Sequence, residues 1–169
     1  TVNRDYSQYL LRKRRGIIGL LIVIYLNVTN ATESGCIVML STVEKLSDEP
    51  IVFTVMGAEF SLVKSVEACA QEFFKVLDTC PEPVYSITDM TLVKFNASDV
   101  VQGVNSAALQ FQIFKHPKII ENITITRSGL LKFAMQGFDT PIFGNIKMQA
   151  FETREAAFAY VRGKAGSNR

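Results

Sequence analysis

The sequence predicts an α/β domain on a mixed, mostly parallel sheet of about five strands with about four helices. Three observations predict it. Strand-length runs rich in β-formers alternate with helix-length segments of three-to-four-residue apolar periodicity, from about residue 37 to residue 162. The alternation is the pattern of right-handed βαβ crossovers, which make neighbouring strands parallel. The first two runs follow one another without a helical segment between them, so the sheet opens on an antiparallel pair.

The elements follow in order. "CIVML" and "PIVFTVMG" are β-rich runs on either side of the polar stretch Glu44 to Pro50. Residues 59 to 78 place Val63, Val66, Ala70, Phe73 and Leu77 on one helical face and Lys64, Glu67, Gln71 and Lys75 on others, with Pro81 as the stop. "PVYSITDMTLVKF" reads as a strand with a continuation, and residues 98 to 115 set Val101, Val104, Ala108 and Phe111 on one helical face before Pro117. "IIENITIT" is the next strand. Ser128 is placed to cap a helix over Gly129 to Gly137, "NIKMQAF" returns as a strand, and Thr153 is placed to cap a final helix through Arg162. Residues 39–165 are thus expected to form one domain behind an extension at 1–38.

Composition narrows the function classes. With 48% hydrophobic and 20% charged residues the chain is ordinary globular material, and 18 basic against 16 acidic residues leave a net charge of +2. No field of that size attracts nucleic acid, so no nucleic-acid partner is expected. The local exception is Arg12, Lys13, Arg14 and Arg15, a basic patch that is either a solvated charge run or a contact for a phosphate-rich or membrane surface. Behind it, Gly16 to Val28 is an apolar run of 13 residues, against about 20 for a membrane-spanning helix. Its four open readings are a membrane anchor through residues 12–28, a secretory signal, a buried or edge strand, and an extension upstream of a domain that starts near Met39. No small-x-small cleavage site follows within Thr29 to Cys36.

Chemistry-bearing residues are sparse. Cys36, Cys69 and Cys80 share no CxxC spacing, and their odd number predicts reduced, mostly buried thiols. His116 is the single histidine, expected at a helix end beside terminal carbonyls, so no metal site and no cofactor are expected. Gly57, Gly129, Gly137 and Gly144 are isolated and make no phosphate-binding loop. Sequons at Asn27, Asn30, Asn96 and Asn122 read as chance. Phe111, Phe114, Phe133, Phe138 and Phe143 have two readings, core packing against the sheet or the lining of a lipid pocket, and packing is preferred. Asp89 stands at the carboxyl end of a central strand, where α/β sheets place ligand-binding groups. It reads either as a turn residue bonded to its own loop or, with Thr126, Arg127 and Ser128, as part of a polar rim for a partner or ligand, in which Arg127 would hold a phosphate or carboxylate.

The order of elements, the closing "KMQAFETREAAFAYVR", and "HPKIIENITIT" leading into "SGLLKFAMQGF" resemble the STAS-like family over roughly residues 40 to 162. That family includes the anti-sigma factor antagonists and small bacterial domains whose fold is similar to that of CRAL-TRIO lipid carriers. The resemblance implies a cytoplasmic, non-enzymatic protein-interaction module with a regulatory or assembly role. It also implies a switch by phosphorylation in the loop "TDMTLVKFNASDV", where Ser98 and, less well placed, Thr91 are the positional candidates. A phosphate at Ser98 would meet the positive end of a helix dipole. The sequence departs from the antagonists' Asp-Ser signature, since "NASD" has its acid after the serine, and a plain N-cap by Ser98 or Asn96 is the preferred role.

The alternative is a membrane-associated or lipid-binding relative that uses the N-terminal segment as its anchor. A third use of that segment is self-association, because an exposed β-rich apolar stretch such as "GIIGLLIVIYL" must be paired or buried. A homo-oligomer joined by this arm is expected. Deleting residues 1–38 should then lower the oligomeric mass measured by light scattering, and an unchanged mass rules out the arm.

Overall fold

A computed structural model describes residues 41–61, 64–96, 98, 113–141 and 145–167. Five strands form one sheet in the order β1-β2-β3-β4-β5. They are β1 (Ser41–Lys45), β2 (Ile51–Met56), β3 (Val84–Asp89), β4 (Ile119–Ile125) and β5 (Met148–Phe151), with helices α1 (Val66–Asp78), α2 (Gly129–Phe138) and α3 (Arg154–Ser167). β1 pairs with β2 antiparallel and every later pair is parallel. This is the mixed, mostly parallel α/β sheet that the sequence predicts. Most of the helix expected over 98–115 lies outside the described residues, as does the whole N-terminal segment. Among the described residues no helix is long and apolar enough to cross a membrane.

β2 is buried along nearly its whole length, as expected of a strand covered on both faces. Its alternate side chains serve two layers. Ile51 and Phe53 pack with Tyr85, Ile87, Ile123 and Ile125 against Ala157 and Val161 of α3. Val52 points the other way, with Val84, into Phe73, Val76 and Leu77 of α1. Residues of α1 and α2 line one cavity on this second face, so these two described crossover helices share a face, as crossovers of one hand between successive strands require.

Local chemistry sets the ends of several elements. Pro81 lies just beyond α1, whose cap is Thr79. Lys118 Nζ donates to the carbonyls of Leu77 (3.3 Å) and Cys80 (3.1 Å), placing a cation at the negative end of that helix. Ser128 Oγ accepts from Leu131 N at 3.2 Å and Thr153 Oγ1 from Ala156 N at 3.3 Å, so both predicted caps are present.

Five boundaries differ from expectation, one of them the end of α3, which runs to Ser167, beyond the expected Arg162. "CIVML" lies outside the described residues; the first described strand starts at Ser41 and includes Glu44 and Lys45, assigned above to the polar connection. At a sheet edge only Val43 is buried, so charged neighbours are tolerated. Helix α1 starts at Val66 and not near residue 59, because Phe60 N bonds back to Gly57 O (3.1 Å) and Ser65 Oγ accepts from Ser61 N (3.3 Å) in a preceding turn. The continuation past Asp89 is not strand. Strand β5 starts at Met148 because Asn145 adopts a left-handed φ of 54° and Ile146 N is tied to Phe138 O at 2.9 Å.

Cys69 and Cys80 are free and buried. Burial is the main cause that pushes both thiols above their ordinary value, so they stay protonated at neutral pH. Cys36 lies outside the described residues.

Candidate functional site

The carboxyl ends of the parallel strands gather the polar residues singled out in the sequence. Asp89 ends β3 and is 1% exposed. Its Oδ1 accepts from Thr91 N at 2.9 Å and Thr91 Oγ1 at 2.7 Å, an Asx-type turn that stops the strand. Its Oδ2 accepts from Arg154 Nε, the first residue of α3, whose side chain is about one-third exposed. The guanidinium also lies over the Phe53 ring, 5.5 Å from its centroid. A carboxylate so deeply buried is tolerated only when paired and hydrogen-bonded, and both of its oxygens are engaged here.

The neighbouring strand end is arranged in the same way. Thr126 is 1% exposed. Its N donates to Phe151 O at 2.8 Å, extending the contact between the ends of β4 and β5, and its Oγ1 accepts from Ser128 N at 3.1 Å. Ser128 in turn caps α2. Of the four residues proposed for the rim, Asp89 and Thr126 are therefore buried and engaged inside the fold, Ser128 is a cap, and Arg127 is exposed. Beside Arg127, Lys132 bonds Glu152 at 2.6 Å and lowers its carboxyl below the usual range, with a smaller contribution from Arg127.

Thr91 and Leu92 are exposed next to this end of the sheet, as are Leu130 and Phe133 on α2. Phe133 is 75% exposed, which corrects the core reading given to it above: it lies on the outer face of α2, while Met135 and Phe138 are the buried residues of that helix. Phe114 and Phe138 do pack, with ring centroids 5.8 Å apart, and both line the cavity beneath. Phe111 and Phe143 lie outside the described residues. Ser98 is exposed and helical, but most of the segment that follows it lies outside the described residues, as do Arg12, Lys13, Arg14 and Arg15. Asn122 is buried and donates to Phe114 O at 2.9 Å, so that sequon serves the fold.

His116 follows the helical residues 113–114, as expected, and its backbone N donates to the terminal carbonyl of Ile113 at 3.2 Å, while the side chain bonds elsewhere. Its Nδ1 accepts from Lys118 N at 3.2 Å in the turn that leads into β4, and its ring lies 5.9 Å from that of Phe74. Among the described residues no group of three or more His, Cys, Asp or Glu side chains could hold a metal ion.

Sequence reasoning missed Arg154, which converts Asp89 from a free ligand group into half of an ion pair across 65 residues. A signal was present. A cation in the first turn of a helix opposes the macrodipole, and an Arg there needs a carboxylate nearby.

Among solved structures, the chain is similar to an uncharacterized protein of the DUF3478 family with a SpoIIAA-like fold from Shewanella loihica. The identity is 12% and the TM-score 0.48, over 70% of this chain and 90% of that one. No family model matches the chain, and no curated protein matches it.

Removing Arg154 with Arg154→Met should cost about 3 kcal/mol in urea unfolding, the low end for stranding a buried charge because Arg154 is partly solvated. Thr91→Val should cost about 1.5 kcal/mol through the lost hydroxyl bond to the carboxylate. A loss under about 0.5 kcal/mol for Arg154→Met would show that Asp89 does not depend on it.

Proposed function

We propose that the protein is a non-enzymatic, STAS-like protein-interaction module that docks a protein partner through the carboxyl end of its sheet. The observation that supports this reading is the closed state of the polar cluster. Asp89, standing where an α/β sheet would present a catalytic or ligand-binding carboxylate, has both oxygens occupied by Thr91 and Arg154. Exposed at the strand ends are Thr91, Leu92, Arg127 and Glu152, and exposed on α2 are Leu130 and Phe133. Exposed charged and apolar side chains together are the make-up of an interface more than of a reaction centre.

Phosphorylation would act on this surface from one of two positions. At Thr91 the hydroxyl is already bonded to Asp89, so a phosphate there would replace that bond with repulsion against a buried carboxylate and open the turn. At Ser98, which is exposed, the added charge would stand at the surface. Thr91 is therefore the site for a switch that loosens the fold, and Ser98 the candidate whose charge would be added at the surface. The assignment to the cytoplasm belongs to the same reading.

A photo-cross-linking residue at position 127 or 92 of the full chain, activated in the protein's own cells, should give a discrete protein adduct. The same residue at Gly163 on α3 should not. Adducts formed equally from both places, or only from α3, would move the docking surface away from the strand ends.

A further inference from the structure

Between the sheet and helices α1 and α2 lies a cavity of about 110 Å³. Its walls are apolar, among them Phe60, Phe73, Phe114 and Phe138, and none of its described lining residues carries a charge. The floor is different. Thr54, Ser86, Thr88 and Thr124 face it from β2, β3 and β4. Thr54 pairs with Thr88, and Thr88 with Thr124, in the register of the parallel strands. Neighbouring strands lie about 4.8 Å apart, so these hydroxyls form a row across the bottom of an otherwise greasy chamber.

One member of that row is unsatisfied. Thr54 is 2% exposed, and its Oγ1 has no hydrogen-bond partner among the described residues. Buried hydroxyls are nearly always paired, and an orphan that lines a cavity points to a group not supplied by the fold. An engineered cavity of about 150 Å³ holds benzene, so a chamber of this size takes one ring and little more. None of the described lining residues would offset the desolvation of a carboxylate, phosphate or ammonium, which favours an uncharged ligand. We propose that this cavity is a binding site for a small uncharged molecule with a ring-sized apolar body and one hydrogen-bonding group that pairs with Thr54 Oγ1.

This site is separate from the docking surface, and its test does not depend on that reading. Of the five methionines in the chain, Met56, Met90, Met135 and Met148 line the cavity. The full chain labelled with ¹³C at its methionine methyls is titrated with phenol, benzene and benzoate. Phenol should shift several of these four methyl signals saturably, and benzoate should bind at least tenfold more weakly. Thr54→Val should weaken phenol by about two- to tenfold, the range of one hydrogen bond, and leave benzene unchanged. Without ligand, Thr54→Val should leave the Tm the same or higher, because an unpaired hydroxyl is replaced by a methyl group of similar shape. Four results would each overturn the proposal: no saturable methyl shift with phenol, benzoate bound as tightly as phenol, phenol affinity indifferent to Thr54→Val, or a lowered Tm for that variant.

Discussion

The structure depends on a charge where the hydrophobic effect alone would not put one. Asp89 ends the central strand at 1% exposure, and it holds together the end of β3, the turn at Thr91 and the first residue of α3. Each of these contacts satisfies one carboxylate oxygen, and the carboxylate is stable there because both are satisfied. The consequence for the fold is positional. α3 starts directly over the strand ends, with Ala157 and Val161 lowered onto Phe53, Ile87 and Ile123.

The same helix is held again further along. Arg162 makes a two-pronged contact with Glu49, at 2.8 and 2.9 Å, in the turn between β1 and β2. Tyr160 and Lys164 both reach Glu121 on β4 at 2.9 Å, and Tyr160 followed by Glu121 raises the Lys164 ammonium above its ordinary value. These outer pairs are more exposed and add little individually. Their role is to fix direction, so that α3 lies across β3, β4 and β5 on one face of the sheet. On the opposite face, residues of α1 and α2 and the row of hydroxyls bound the cavity.

How much of this was legible follows from the range of each interaction. The caps at Ser128 and Thr153 act over three residues and can be read from the chain directly. The apolar face of α1 and the turn role of Asp89 are equally local, and both are present in the structure. Arg154 escaped because its partner is remote in sequence and the helix dipole was not used as a clue. The cavity floor escaped for another reason. Thr54, Ser86, Thr88 and Thr124 look like ordinary strand residues, and only the register puts them on one face and on neighbouring rungs. Phe133 was misread because an aromatic within a helical pattern is assigned inward by default, whereas the buried stripe of α2 runs through Met135 and Phe138.

Two parts of the molecule are distinct: strand ends whose buried carboxylate, Asp89, is bonded within the fold, and a cavity on the face of α1 and α2 with one hydroxyl unpaired among the described residues. The first rests on Asp89 being committed to Arg154. A double-mutant cycle with Asp89→Asn and Arg154→Gln, followed by urea unfolding, tests this most directly. The account predicts a coupling of about 1.5 kcal/mol or more between the two positions. Single effects that add to within about 0.5 kcal/mol would mean that the two side chains act independently, and Asp89 would return to the candidates for binding or chemistry.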